Sequence, residues 1–204
     1  MIEKIDLLKK MKAYYAPPAG KIEIVDVPAI NYLMIDGHGD PNTSQEYADA
    51  ISALYSLAYT IKFAIKKDRE VDFKVMPPQG LWWSGNMDDF ISGNKSNWDW
   101  TMMILQPEFV TKEIVESLRS ETAKKKGMPA VEKVRLENYH EGLSAQLMHI
   151  GPFADEGPNI ARLHAFITGQ GGKLAGKHHE IYLSDFRRTA PDKLRTIIRQ
   201  PFKK

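Results

Sequence analysis

The stretch His178-His179-Glu180-Ile181-Tyr182-Leu183-Ser184-Asp185 holds the side chains best suited to chemistry in this chain. Read as a strand, its period of two sets His179, Ile181 and Leu183 on one face, with Glu180 and Tyr182 on the other. Ile181 and Leu183 suit a face packed against helices, which aims Glu180 at a cleft. Burial in a partly apolar cleft penalises the charged carboxylate and raises its pKa, as general acid–base work requires. The competing reading is a glutamate held in an ion pair by a nearby Arg or Lys. His178 and His179 are adjacent and diverge to opposite faces, and no HExxH pattern occurs, so the histidines give no metal site. His149 reads as a satisfied structural histidine, and His140 and Glu141 as a solvated hairpin tip.

Aromatic residues supply the second feature. All four tryptophans, Trp82, Trp83, Trp98 and Trp100, fall between Gln79 and Trp100. Between the two pairs runs the polar segment SGNMDDFISGNKSN, which reads as a mobile flap with a short helical turn. Rings at both hinges of a flap suit a planar aromatic guest, since each ring pair adds about 0.5–1.5 kcal/mol beyond area burial. The alternative is that at least one of the four is core. Tyr55 and Tyr59 lie one helical turn apart and flank an apolar stripe.

Several chemistries are excluded. The chain has no cysteine, hence no disulfide, thiol nucleophile or thiolate metal site, which suits a reducing cytoplasm. With 28 basic and 26 acidic residues interspersed, no basic field invites nucleic acid. No apolar run approaches the roughly 20 residues that span a bilayer, and the N-terminal residues carry no signal core. The segment GGKLAGKH mimics a phosphate loop, but His178 stands where Ser or Thr is needed and the segment precedes a strand rather than a helix. No GxSxG nucleophile elbow is present.

The elements that must position these residues follow from periodicity. Residues 1–20 read as a lead-in ending in the turn APPAG. A β pattern over KIEIVDVPAINYLMIDG is broken by Pro28. Tyr47, Ile51, Leu54, Ala58, Ile61 and Ile65 predict a helix over 44–66, with Asn42, Thr43 and Ser44 as capping candidates. A second helix runs from Thr111, its cap, to Gly127, its terminator. A hairpin is expected around Glu141–Gly142, then a helix over about 155–168 and strands at HHEIYLSD and LRTIIRQPF. Strand–helix–strand–strand thus occurs twice, each time closing on Gln-Pro. The expectation is an α+β fold of duplicated βαββ units with pseudo-twofold symmetry. Its antiparallel sheet carries helices on one face and a ligand cleft at the repeat seam. The expected organisation is a lead-in over 1–20 and one domain over 21–204. Repeat one covers about 21–110, a connecting helix about 111–127 and repeat two about 130–204.

Four segments in order, YLMIDGHGDPN, MHIGPF, HHEIYLSDFRR and PDKLRTIIRQPF, resemble the GyrI-like small-molecule-binding proteins over residues 20–204. The nearest likeness, carried by HHEIYLSD, is to a stand-alone subfamily that includes cyclopropanoid cyclopropyl hydrolases. That resemblance implies water addition across the cyclopropane of planar DNA-alkylating compounds of the yatakemycin and CC-1065 type, in an aromatic cage, without metal or cofactor. It implies detoxification of a xenobiotic in the cytoplasm, with no direct nucleic-acid contact and no membrane. Relatives that regulate transcription carry a DNA-binding domain, for which 20 preceding residues are too few.

In that scheme Glu180 and Tyr55 are the catalytic candidates. Trp82, Trp83, Trp98, Trp100, Tyr59, Tyr182 and His179 are the ligand-binding ones. Two departures stand out. Phe186 replaces a proline of the family's SDPRR turn. The last strand reads Ile197-Ile198-Arg199-Gln200-Pro201, where drug-sensing relatives place a glutamate that attracts cations. The alternative function is a non-catalytic protein that binds or sequesters small molecules. Inhibition of a partner such as DNA gyrase is a third reading, which the balanced charge does not favour.

Overall fold

The computed structural model describes residues 2–85 and 94–204. The central part of the expected flap, residues 86–93, lies outside the described residues. In chain order the elements are β1 (Glu3–Ile5), α1 (Leu7–Lys10), α2 (Lys12–Tyr15), β2 (Ile22–His38), α3 (Gln45–Arg69), β3 (Val71–Phe73), β4 (Pro78–Trp83), β5 (Asp99–Leu105), α4 (Lys112–Lys126), β6 (Arg135–Ile150), α5 (Gly157–Gly169), β7 (Lys173–Leu174), β8 (His178–Tyr182) and β9 (Arg195–Lys203). The fold is α+β with mostly antiparallel pairing. No helix among the described residues is long and apolar enough to cross a membrane.

The chain forms two compact units, and the boundary between them falls within β2, β4 and β6. The first comprises residues 1–10, 30–78 and 82–139. Its scaffold is α3, whose cap is Ser44: the hydroxyl accepts from the Tyr47 amide at 3.3 Å. The face that carries Ala50, Leu54, Leu57, Ile61 and Ile65 is buried. Each of its larger side chains contributes roughly 1.5–3 kcal/mol of apolar burial. The helix ends at Glu70, whose φ of 54° is left-handed. It packs on β5 and α4. Strand β5 pairs antiparallel with β2, and Gly37 lies opposite Trp100. A side chain at residue 37 would collide with that indole, since a Cβ there would fall 2.1 Å from its ring. Helix α4 is capped by Thr111 and stopped by Gly127 at φ 62°, as the sequence predicts.

The second unit comprises residues 11–29, 79–81 and 140–204. Strand β9 is its centre and pairs antiparallel with β6, β7 and β8. Helix α5 packs on β9 through a core that includes Leu147, Leu163, Ile167, Ile198 and Phe202.

Three expectations need correction here. No hairpin forms at Glu141–Gly142; β6 runs through as one strand, and Gly142 absorbs a kink at φ 72° that only glycine takes without strain. Glu141 is therefore not a solvated tip: its side chain is 1% exposed. Pro28 does not interrupt β2. Finally, register reverses the face expected of Glu180. It lies opposite Ile198, a residue of the core under α5, whereas His179 lies opposite Arg199 on the other face.

Candidate functional site

Alternation along β8 sorts its residues into two environments. His178, Glu180 and Tyr182 share one face and are hydrogen-bonded to one another. His178 Nε2 lies 3.1 Å from Glu180 Oε1, and the Tyr182 hydroxyl donates to Oε2 at 2.7 Å. The side chains of His178 and Glu180 are only 10% and 15% exposed. The Phe153 ring meets Tyr182 edge-on at 5.6 Å. Glu156, the residue before α5, adds a third hydrogen bond to Glu180. Burial alone would raise the Glu180 pKa. The bonds from His178, Tyr182 and Glu156 outweigh it, so the carboxyl is held below its ordinary value. This reverses the raised pKa expected from the sequence, because hydrogen-bonding groups surround the carboxylate.

His149 fixes the loop that carries Phe153 and Glu156. One of its ring nitrogens lies 3.0 Å from the Pro152 carbonyl and the other 2.9 Å from the Asn159 amide. It is buried and satisfied, as its place before Gly151 suggested.

The other face of β8 is structural. His179 is fully buried; Nδ1 lies 2.8 Å from Glu141 Oε1 and Nε2 3.0 Å from Gln79 Oε1. Arg199 donates to Glu141 Oε2 at 2.9 Å and, with two nitrogens, to Gln146 Oε1. The same guanidinium reaches the Tyr14 carbonyl at 2.6 Å, and Gln146 donates to that of Ala13 at 2.8 Å. Tyr15 accepts from Gln79 at 2.7 Å. Residues 13–15 are thus tied into the second unit. Burial raises the Glu141 pKa, but His179 and Arg199 win and hold it at about 2. Burial keeps His179 below the usual imidazole value despite Glu141.

The four tryptophans, Tyr55 and Tyr59 belong to the first unit. Trp100 and Trp82 are buried. Tyr47 meets the Trp100 ring edge-on at 5.3 Å and Trp82 at 6.0 Å, and Trp98 meets Trp82 at 5.8 Å. Trp83 is half-buried. On α3, Tyr55, Tyr59 and Phe63 stack at 6.3 and 6.2 Å and line an open groove of about 340 Å³ with Ser56, Thr60 and Lys126. The structure therefore joins Glu180 to Tyr182 and, separately, Tyr55 to Tyr59, and Trp82 to Trp98. His179 is parted from Glu180 by strand alternation. Among the described residues no group of three or more His, Asp or Glu is arranged to hold a metal ion.

Residues 20–203 match the GyrI-like small molecule binding domain. The chain belongs to the GyrI-like family. A conserved protein of Listeria innocua is 40% identical, with a TM-score of 0.90 over 98% of this chain and 100% of its own. A hydrolase of Listeria innocua is 39% identical, with a TM-score of 0.84 over the same shares. The C-terminal domain of EcmrR, 10% identical with a TM-score of 0.58 over 90% of this chain and 98% of its own, shares the fold. No curated protein sequence matches the chain.

On the last strand, Arg199 is taken up as the buried partner of Glu141. Sequence reasoning missed His178 and Glu156. His178 was legible as the i−2 neighbour of Glu180 on the same strand face. Glu156 carried no pattern, because a loop and helix turn bring it to β8.

Proposed function

We propose that this GyrI-like chain is a cytoplasmic hydrolase. It opens the cyclopropane of planar DNA-alkylating xenobiotics of the yatakemycin and CC-1065 type by adding water, and so protects the cell. The observation that carries the reading is the ionised Glu180 carboxylate held by His178, Tyr182 and Glu156. The likeness to a Listeria innocua hydrolase supports it. Tryptophan and tyrosine rings, Trp82, Trp83, Trp98, Trp100 and Tyr59 among them, stack the polycyclic guest. The Glu180 cluster orients and activates water, which attacks a cyclopropane carbon. The strained C–C bond breaks, its electron pair enters the conjugated dienone, and a phenol forms. A hydrogen-bond donor, Tyr55 or Tyr182, stabilises the developing phenolate. The substrate is strained, so most of the catalytic task is positioning.

The test is incubation with a cyclopropane-containing duocarmycin-type compound, followed by mass spectrometry. The wild type should form the water adduct. Glu180→Gln should lose roughly 10²–10⁴ in turnover while tryptophan quenching reports unchanged affinity. Tight binding by the wild type with no water adduct would sink the hydrolase reading and leave a sequestering protein.

A further inference from the structure

We infer that His178, held in one tautomer by Glu180, takes the proton from the attacking water. This deepens the proposed hydrolase activity and rests on it. A carboxylate accepts hydrogen bonds and cannot donate them, so the 3.1 Å contact to Glu180 Oε1 places a proton on His178 Nε2. A neutral imidazole protonated at Nε2 carries its lone pair on Nδ1. Among the described residues Nδ1 has no hydrogen-bond partner, and it is not one of the buried unsatisfied nitrogens, so it reaches solvent.

Glu180 is poorly placed for the same task. Its oxygens receive bonds from His178, Tyr182 and Glu156, and those bonds hold its pKa down and make it a weak base. Its chemistry is to orient and to stabilise the imidazolium that forms, as the carboxylate does in a hydrolase triad. Three further groups face the pair. Glu156 and His164 come from the α5 side, and His164 is electrostatically coupled to His178 and kept low by burial and by that neighbour. Tyr182 lies on β8 itself.

The step balances. One water O–H bond breaks and its proton moves to His178 Nδ1. A C–O bond forms at the cyclopropane methylene. The C–C bond breaks and its pair ends on the dienone oxygen, which accepts a proton from solvent, while His178 returns its own to solvent. One water is added and nothing is oxidised.

Two measurements test this. In ¹⁵N-histidine NMR of the wild type at neutral pH, His178 should show a protonated Nε2 and a bare Nδ1, and Glu180→Gln should erode that preference. A protonated Nδ1 overturns the inference whatever the activity. In the hydrolysis assay, the wild-type kcat/KM should fall on acidification. His178→Gln should lose at least a hundredfold and that acid limb, with affinity for the compound retained. His178→Gly should recover part of the loss with added imidazole. Full activity and an unchanged pH profile in His178→Gln would dispose of His178 alone. Absence of hydrolysis by the wild type would remove both readings.

Discussion

Replacing Glu141 by Gln tests whether the buried ion pairs of the second unit hold it together. The substitution keeps the shape of the side chain and removes its charge. In the native structure Glu141 Oε1 meets His179 and Oε2 accepts from Arg199 Nη1. A glutamine can offer its oxygen to only one of them, so its amide faces a donor on the other side. Arg199, 1% exposed, then keeps a buried charge with no carboxylate.

The displacement of the Glu141 pKa, from 4.5 to about 2, spans about 2.5 pH units. At about 1.4 kcal/mol per unit that is about 3.5 kcal/mol, within the roughly 3–5 kcal/mol lost when one member of a buried pair is removed. A group whose folded pKa is depressed stabilises above its unfolded value and loses that contribution as pH falls toward the folded value. Wild-type stability should therefore decline between about pH 4.5 and 2 on account of Glu141. His179, also depressed, adds a decline that begins below the ordinary histidine value of 6.5.

Urea unfolding, with hydrogen exchange of the β9 amides as the local readout, measures both effects. Glu141→Gln should lose about 3.5 kcal/mol at pH 7 and should flatten the lower pH window. A loss below about 1 kcal/mol, or an acid slope identical to the wild type, would show that the pair contributes no more than a surface ion pair.

Two other perturbations follow from the geometry. Gly37→Ala drives a methyl group into the Trp100 indole across the β2–β5 ladder and should cost at least about 1–3 kcal/mol, read as a lower urea midpoint and altered tryptophan emission. Tyr182→Phe removes the 2.7 Å donor to Glu180; the carboxyl pKa should rise toward its ordinary value and turnover should fall about tenfold, the equivalent of one charge-assisted bond, in the duocarmycin-type assay.

Local rules made much of this fold legible. Spacing of apolar residues located α3, and the short polar side chains of Ser44 and Thr111 located helix starts because each can satisfy an otherwise unpaired amide. Gly127 marked an end for its left-handed backbone. Long-range polar pairing was not legible. Glu141 and Arg199 are 58 residues apart, and nothing local to either announces the other. Gly142 read as a turn because glycine supports both a hairpin and a kink, and only pairing to β9 decides between them. The side on which Glu180 lies failed for a related reason. Alternation fixes which residues share a face but not which face meets a helix, and Ile198 under α5 settled that.

Strand β8 then explains how one short segment serves two opposed demands. The chemistry proposed for Glu180 asks a carboxylate to be desolvated yet remain ionised, and burial alone works against the second condition. Here the opposing face supplies rigidity: His179 is locked between Glu141 and Gln79, and Ile181 is buried opposite Ile197. That anchorage fixes the backbone from which His178, Glu180 and Tyr182 project, so their 3.1 and 2.7 Å contacts need little further ordering of side chains. Donors from the same strand and from the Phe153–Glu156 turn then offset the desolvation of Glu180. The adjacent histidines, indistinguishable by composition, acquire different surroundings because a single residue step changes the face. His179 has both nitrogens engaged and stabilises, whereas His178 has one nitrogen engaged and one open among the described residues, the arrangement a proton acceptor requires.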